Sequence, residues 1–320
     1  MNKITIQETA EFLTNCEDVY ILIHRSPDGD CVGAGYSLQA VLKLLGKRAK
    51  VLCADNIPER FDFLKPEKSE KPEEDFTAKT IISVDVADTK LLGNLEKVYS
   101  DKIQLCIDHH VSNKFYAEKT LLEENASAAC EILYKLYRYM NINFTEQIAK
   151  CLFTGMSTDT GCFKFENTTP ETHIFTAELM REFPNIRYGL INRQMFDVKS
   201  PSRIKAEMLM LSQMEYYFHN QCTIVWATLE LCQKYQVDEK DMEGLTSLSL
   251  QPEGVEVGIT FREREPNVFK VSMRSAKDVN VSELCQILGG GGHVKAAGCL
   301  LKGSPDEVRN KVLQVVEKAL

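Results

Sequence analysis

Residues 19–30 read Val19-Tyr20-Ile21-Leu22-Ile23-His24-Arg25-Ser26-Pro27-Asp28-Gly29-Asp30. The first five residues form the apolar, β-branched kind of run that becomes a buried strand. A histidine and two aspartates follow that run. A strand-like run followed by aspartate or histidine occurs twice more: residues 80–84 precede Asp85, and residues 103–107 precede Asp108-His109-His110. Because the ends of parallel strands gather along one edge of an open sheet, we expect these polar side chains to meet there.

The order of the predicted elements gives the fold class and the domain division. Strand-like and helical segments alternate from residue 8 to about residue 167, which is typical of an α/β domain with a parallel sheet. Strands at 223–229, 255–264 and 268–275, with a hairpin at Glu265-Pro266-Asn267, begin a smaller α/β domain. We therefore predict a parallel-sheet α/β domain at residues 1–185, a helical linker at 186–218 and a second α/β domain at 219–320.

Shorter segments complete this prediction. The predicted helices in the first half lie at residues 33–45, 126–140, 145–156 and 170–183. The later ones lie at 201–216 and 281–288, with a glycine run, a strand near 298–301 and a terminal helix from Ser304 after them. The charged, proline-bracketed stretch at 66–75 predicts a solvated loop.

Composition limits the function classes. The chain has 320 residues, of which 44% are hydrophobic and 26% charged, as in ordinary globular proteins. It has neither a basic leader followed by an apolar run nor an apolar segment of membrane-spanning length, so we expect a cytoplasmic protein without a membrane partner. The net charge of −8 argues against binding to long duplex nucleic acid. A small anionic substrate remains compatible if bound cations supply positive potential.

Eleven cysteines are scattered singly along the chain. We expect them to be small core residues in a reducing compartment. No cysteine has a histidine partner at a recognisable spacing, so neither a structural zinc site nor a catalytic thiol is expected.

The polar clusters predict a metal centre, completed by Asp159 in Thr158-Asp159-Thr160-Gly161. Nitrogen and carboxylate ligands without thiolate favour manganese or magnesium over structural zinc, although iron or cobalt also fits. Two ions about 3.5–4 Å apart need a bridging carboxylate, and Asp85 is the natural bridge. The alternative is that Asp28-Gly29-Asp30 is a turn and Asp108 a helix cap. Four such clusters argue against coincidence, whereas Asp88 is expected to be only a local cap.

The set His24, Asp28, Asp30, Asp85, Asp108-His109-His110 and Asp159 resembles the four motifs of the DHH phosphoesterase superfamily. The segment from Gly289 to Gly298, Gly-Gly-Gly-Gly-His-Val-Lys-Ala-Ala-Gly, resembles the signature of the DHHA1 domain. Together these motifs span nearly the whole chain. Within the superfamily, a two-domain chain of this length is most similar to the NrnA-like oligoribonucleases.

The resemblance implies a role for each motif residue. One ion would be bound by His24, Asp28 and Asp85, and the second by Asp30, Asp85, His109 and Asp159. Asp108 would orient the ligands, and His110 would act beside the scissile phosphate. Ser127 and Glu131 mark a helix start that either points at the site or is simply capped. Substrate phosphate would be bound in the second domain by Arg274, Ser275, Gly290, Gly291, Gly292 and His293.

The implied function is a Mn²⁺-dependent phosphohydrolase with two ions, for which Mg²⁺ or Co²⁺ would substitute. It would degrade short single-stranded oligoribonucleotides to mononucleotides and convert the nucleoside bisphosphate 3′-phosphoadenosine 5′-phosphate to AMP. One alternative is a phosphodiesterase for linear dinucleotides such as pApA. Another is a non-catalytic nucleotide-binding regulator. Inorganic pyrophosphatases share the metal motifs but carry a different C-terminal domain. A homodimer is left open.

Overall fold

A computed structural model describes residues 2–66, 76–237, 242 and 244–320. The chain divides into two compact units, Met1–Val198 and Lys199–Leu320. The division falls inside the stretch predicted to be a helical linker. The three-part boundaries at residues 185 and 218 remain a prediction. The loop predicted at 66–75 lies, apart from Pro66, outside the described residues.

The first unit is built on a parallel sheet whose described strands run in the order β2-β1-β3-β4-β5. The strands are β1 Val19–Leu22, β2 Ala49–Leu52, β3 Thr80–Val84, β4 Leu105–Asp108 and β5 Lys119–Leu122. The chain moves outward from β1 to β2 and then returns to the other side of β1. Crevices for ligands open at the carboxyl ends of strands where the order reverses in this way, here between β1 and β3.

Helices cover this sheet. They are α1 Ile6–Asn15, α2 Gly29–Leu44, α3 Glu96–Tyr99, α4 Ala129–Tyr139, α5 Glu146–Asp159, α6 Pro170–Glu182 and α7 Tyr188–Asn192. Helix α2 is buried from Gly29 to Leu42, because it packs against the sheet as well as α4 and α5. A helix that is apolar on nearly all sides needs such a position.

The second unit contains a mixed six-stranded sheet in the order β10-β11-β9-β8-β7-β6, in which only β7 and β8 are parallel neighbours among the described strands. Its strands are β6 Glu215–Tyr217, β7 Cys222–Ala227, β8 Val257–Glu265, β9 Val268–Ser275, β10 Gly291–His293 and β11 Ala296–Lys302. Its helices are α8 Pro201–Ser212, α9 Leu229–Tyr235, α10 Val281–Ile287 and α11 Pro305–Val316.

Strand β7 explains why α8 belongs to the second unit. Ile224 and Trp226 point into one apolar cluster, whereas Val225 and Ala227 point into another that contains Ala206 of α8. Alternate residues of a strand face opposite sides of its sheet, so β7 needs cover on both faces. Helix α8 supplies part of that cover.

Several predicted boundaries were wrong. The helix predicted at 201–216 ends at Ser212, and Glu215–Tyr217 form the edge strand β6. The strand predicted at 223–229 ends at Ala227, because Thr228 caps α9. Part of the glycine run is strand β10, paired with β11. The predicted hairpin at 265–267 is confirmed.

All eleven cysteines are free, and eight of them are buried. Within the described residues, no helix combines the length and apolar character needed to cross a bilayer.

Glu256 organises the turn that leads from β9 to α10. Its Oε1 accepts hydrogen bonds from the amides of Lys277, Asp278 and Val279, and from the hydroxyl of Ser275. Burial tends to raise the pKa of Glu256, but these donors outweigh burial and lower it. The stabilisation therefore exists above the ordinary glutamate pKa and is lost as pH falls through the lowered value.

We predict that Glu256→Ala lowers the free energy of unfolding by about 1–3 kcal/mol at neutral pH, because several donors lose their acceptor. Urea denaturation measures the change, with the exposed Glu253→Ala as the control. The difference from the wild type should shrink in acid. A Glu256→Ala protein as stable as Glu253→Ala would contradict this role.

Candidate metal centre

The carboxyl ends of three neighbouring strands deliver the candidate site. His24 lies two residues after β1, Asp85 directly follows β3, and Asp108 is the last residue of β4. Two helix ends complete it, since Asp30 lies in the first turn of α2 and Asp159 ends α5. The six predicted metal ligands form one connected cluster, with His24 and His109 linking the carboxylates at 3.3–4.0 Å.

Asp85 lies at the middle of the cluster. It adopts a left-handed backbone conformation with φ of 58°, which aspartate tolerates better than most residues. The side chain is 3% exposed. Its Oδ2 lies 3.5 Å from His24 Nε2, and its Oδ1 lies 3.5 Å from His109 Nε2. Among the described residues, Oδ1 has no hydrogen-bond partner although it is buried. A buried oxygen without a donor is expected to face a cation or another missing partner.

The two histidines have defined tautomers because each donates a ring N–H to a backbone carbonyl. Nδ1 of His24 donates to the oxygen of Arg25 at 2.8 Å, and Nδ1 of His109 donates to that of Ala126 at 3.2 Å. In both rings Nε2 is therefore the nitrogen that faces the carboxylates. A metal-binding histidine commonly has this arrangement, in which the second nitrogen fixes the ring and its tautomer.

Asp28 has two roles in the structure. Its Oδ1 caps α2 by accepting from the amides of Asp30 and Cys31, both at 3.1 Å. Its Oδ2 lies 3.6 Å from His24 Nε2. The residue is thus a helix cap and a member of the cluster.

Asp30 is held by the N-terminus of α4. Its two oxygens accept from the amides of Ala129 at 2.6 Å and Cys130 at 3.0 Å. The predicted helix start near Ser127 and Glu131 therefore does point at the site, where an aspartate occupies its free amides. Glu131 itself accepts from the hydroxyls of Ser127 and Thr172. The sequence did not predict that the amides of Ala129 and Cys130 bind Asp30.

Asp108 is fully buried and holds its neighbours. Its Oδ1 accepts from the backbone amide of His109 at 2.9 Å and from Nδ1 of His110 at 2.8 Å, and its Oδ2 accepts from Asn113 at 2.6 Å. His110 is 42% exposed and lies 3.6 Å from Asp85 Oδ1. Asn113 was missed by the sequence analysis. Asp88, as expected, caps the following turn by accepting from the amide of Lys90.

The carboxylates and imidazoles of the cluster shift one another's pKa values. Burial and the charges of Asp85 and Asp159 raise the pKa of Asp30 well above its usual value. Burial raises the pKa of Asp159 to about 6, against the effect of His109. Burial would lower the pKa of His109, but the carboxylates of Asp85 and Asp30 raise it to about 10. Such a site attracts positive charge, and divalent cations compete with protons for it.

The donors fit divalent cations. One group joins His24, Asp28 and Asp85 with Cys31, and another joins Asp30, His109 and Asp159, with the donor atoms of each group within 4.8 Å of one another. Asp85 also groups with His109 and His110. No recognisable sequence spacing pairs a cysteine with a histidine, but the folded chain brings Cys31 close to His24.

The predicted substrate residues lie in the second unit. Arg274 is in β9 and is half-buried, with Nη1 donating to the carbonyl of Met273. Ser275 is buried and bonded to Glu256. Gly290 and Gly292 have backbone packed so closely against β11 that a side chain would overlap it, whereas Gly291 has open space beside it. His293 ends β10 and is exposed.

Comparison with known proteins identifies the family. A model of the DHH family, N-terminal domain, matches residues 18–156, and a DHHA1 domain model matches residues 221–320. A curated relative from Thermus thermophilus, named bifunctional oligoribonuclease and PAP phosphatase NrnA, is 33% identical over 94% of this chain and 90% of its own length. The chain belongs to the DHH family.

One further relative and one solved structure are also similar to this DHH-family chain. The cyclic-di-AMP phosphodiesterase PdeA of Listeria monocytogenes is 24% identical over 94% of this chain but only 47% of its own length. The crystal structure of an exopolyphosphatase-related protein from Bacteroides fragilis matches with a TM-score of 0.83 at 23% identity, covering 98% of this chain and 95% of that one. The structural match supports the fold.

Gly155 of α5 leaves the space that the Asp30 carboxylate and Cys130 occupy, and a Cβ there would overlap both. We predict that Gly155→Ala displaces Asp30 from the amides of α4, lowers the free energy of unfolding by about 1–3 kcal/mol and weakens Mn²⁺ binding. Urea denaturation and calorimetric titration with Mn²⁺ measure the two effects. Gly189→Ala in α7, which has open space beside it, is the matched control. Equal free energies of unfolding and equal Mn²⁺ affinities for Gly155→Ala and Gly189→Ala would contradict this role of Gly155.

Proposed function

We propose that this DHH-family chain is a metal-dependent phosphohydrolase that degrades short oligoribonucleotides to mononucleotides and converts 3′-phosphoadenosine 5′-phosphate to AMP. The observation that carries the proposal is the buried Asp85 carboxylate, whose two oxygens face His24 on one side and His109 on the other. A carboxylate so placed suits a pair of divalent cations. The name of the Thermus relative supports both substrate classes.

The residues are assigned to the two ions as the family resemblance implies, and the donor groups support that assignment. His24, Asp28 and Asp85 would bind one ion, and Asp30, Asp85, His109 and Asp159 the other. Mn²⁺ is the proposed metal, with Mg²⁺ or Co²⁺ as substitutes. Bound cations of this kind neutralise phosphoryl charge and activate water at neutral pH.

The chain itself positions a proton near this centre. Asp108 accepts from Nδ1 of His110 and Asn113 holds Asp108 from the other side, so the ring of His110 is oriented without being buried. The carboxylate raises the pKa of His110, which favours the protonated ring. We assign His110 the stabilisation of charge on the leaving oxygen or its protonation. Asp108 is then the residue that positions it.

In the second unit, we assign the binding of substrate phosphate to Arg274. The other residues proposed to take part, which are near Arg274 in sequence or through strand pairing, are Ser275, Gly290, Gly291, Gly292 and His293. Arginine binds phosphate by charge-assisted hydrogen bonds. Ala296 of β11 pairs with Arg274 in β9 and with His293 in β10, so Arg274 and His293 lie on strands that flank the same residue. The open space beside Gly291 leaves its backbone accessible to an anion. Substrates with a terminal phosphate should therefore bind best.

A second candidate is a phosphodiesterase for linear dinucleotides such as pApA, which the match to the Listeria enzyme favours. Turnover of 3′-phosphoadenosine 5′-phosphate, a 5′-phosphorylated dinucleotide, a pentanucleotide and pyrophosphate, measured side by side with Mn²⁺, separates the candidates. Turnover of the dinucleotide alone selects the second candidate. Binding of these nucleotides without any product would instead select a non-catalytic regulator.

We predict that Asp85→Asn reduces hydrolysis of every substrate by more than about 100-fold, since even outer-shell changes at metal sites cost about 10–100-fold. Asparagine tolerates the left-handed backbone of this position, so the fold should survive. The matched control is Asp88→Asn, three residues away, which keeps its capping oxygen. Product release by chromatography and bound manganese by elemental analysis are the readouts. An Asp85→Asn protein that retains full turnover would refute the bridging role.

Arg274→Ala should raise the KM for a 5′-phosphorylated dinucleotide by about tenfold or more, the equivalent of one charge-assisted hydrogen bond, with little change in kcat. The KM for the same dinucleotide without its 5′-phosphate should change much less. Lys270→Ala removes an exposed positive charge from the same strand and serves as the control. Equal effects of Arg274→Ala on both dinucleotides would argue against the phosphate contact.

A further inference from the structure

Cys31 lies in the first full turn of α2, among the residues assigned to one ion. Its Sγ is within 4.8 Å of donor atoms of His24, Asp28 and Asp85. The side chain is 0% exposed. Its backbone amide donates to Asp28 Oδ1 at 3.1 Å, so the helix cap that positions Asp28 also fixes the start of the Cys31 side chain. The thiol is therefore held beside the cluster by the same turn that builds it.

The hydrogen bond of this thiol to the backbone is weak. Its hydrogen bond to the carbonyl of Asp28 has an Sγ to oxygen distance of 3.7 Å, and a thiol is a weak donor. On the same side of the cluster, Oδ2 of the buried Asp85 lies 3.5 Å from His24 Nε2. The thiol therefore lies in one buried group with an imidazole and two carboxylates, a donor set of the kind that binds a divalent cation.

We propose that Cys31 is a further ligand of the ion bound by His24, Asp28 and Asp85. On binding, the sulfur–hydrogen bond breaks, its proton passes to solvent, and the sulfur lone pair forms the bond to the cation. The proposal rests on the metal centre of the proposed function and not on any substrate. It adds a soft ligand to this ion, whereas the donor group assigned to the other ion consists, among the described residues, of one imidazole and carboxylates.

The two ion positions then differ in their preferred metal. A nitrogen, oxygen and sulfur donor set favours borderline cations such as Zn²⁺ and Co²⁺, whereas nitrogen with carboxylates suits Mn²⁺ or Mg²⁺. We expect the position beside Cys31 to select the thiophilic ion from a mixture. This revises the preference for manganese at that position, which rested on the absence of thiolate.

Cobalt provides the direct test, because a thiolate bound to Co²⁺ gives a charge-transfer absorption in the near ultraviolet. The full-length protein is loaded with Co²⁺ and compared with Cys31→Ser and Cys31→Ala. Cys53→Ser is the matched control, since the Cys53 thiol donates to the backbone carbonyl of His24 but belongs to none of the donor groups found. We expect the absorption in the wild type and in Cys53→Ser, and its loss in both Cys31 variants.

Competition between metals provides a second readout. In equilibrium dialysis against equal Zn²⁺ and Mn²⁺, the wild-type preference for zinc at one position should fall by about tenfold or more in Cys31→Ser. Circular dichroism and the melting temperature check that each variant is folded. Cys31→Ser is the main variant because serine is close to cysteine in size and disturbs this buried position least.

Two results would overturn the proposal. They are a cobalt spectrum that is the same in folded Cys31→Ser and the wild type, and a zinc preference that does not change. Cys31 would then be only a buried core residue. Failure of the proposed function looks different: no variant or wild type would release product with any metal, whatever the cobalt spectrum shows. The spectrum and the turnover assay therefore separate the two failures.

Discussion

The structure of the first unit depends on the packing of three carboxylates around the imidazole of His109. Asp30 and Asp85 are almost fully buried, and both they and Asp159 lie within 4.0 Å of His109 Nε2. Burying like charges this close is costly unless positive charge joins them. Protons on the histidines meet part of that need. Divalent cations meet it better, because each brings two charges to oxygen and nitrogen atoms that already face inward.

The surrounding fold holds these groups in place before any cation arrives. The amides at the start of α4 hold Asp30, and the dipole of that helix favours a negative charge there. Backbone carbonyls set the tautomers of His24 and His109. The absence of a side chain at Gly155 lets α5 approach Asp30. Each feature fixes a donor atom in advance, which is what a site for phosphoryl transfer requires.

The sequence predicted the parts of this arrangement that have strong local signals. Buried strands β1, β3 and β4 are apolar runs, so the sequence predicted that polar residues lie at the carboxyl ends of these strands, as they do in the structure. The edge strands β2 and β5 were missed because each contains an exposed lysine, Lys50 or Lys119, which interrupts the apolar pattern of a strand. The contacts of Asp30 with α4 and of Cys31 with His24 arise only when the chain folds back. The spacing of residues along the sequence does not predict these contacts.

The most direct test of the account is the anomalous scattering of a crystal grown with Mn²⁺. We expect two manganese peaks about 3.5–4 Å apart, one on the His24 side of Asp85 and the other on the His109 side, with one oxygen of Asp85 bound to each or one shared by both. Peaks elsewhere, a single peak that leaves Asp85 without a metal contact, or no peak at saturating Mn²⁺ would contradict the account.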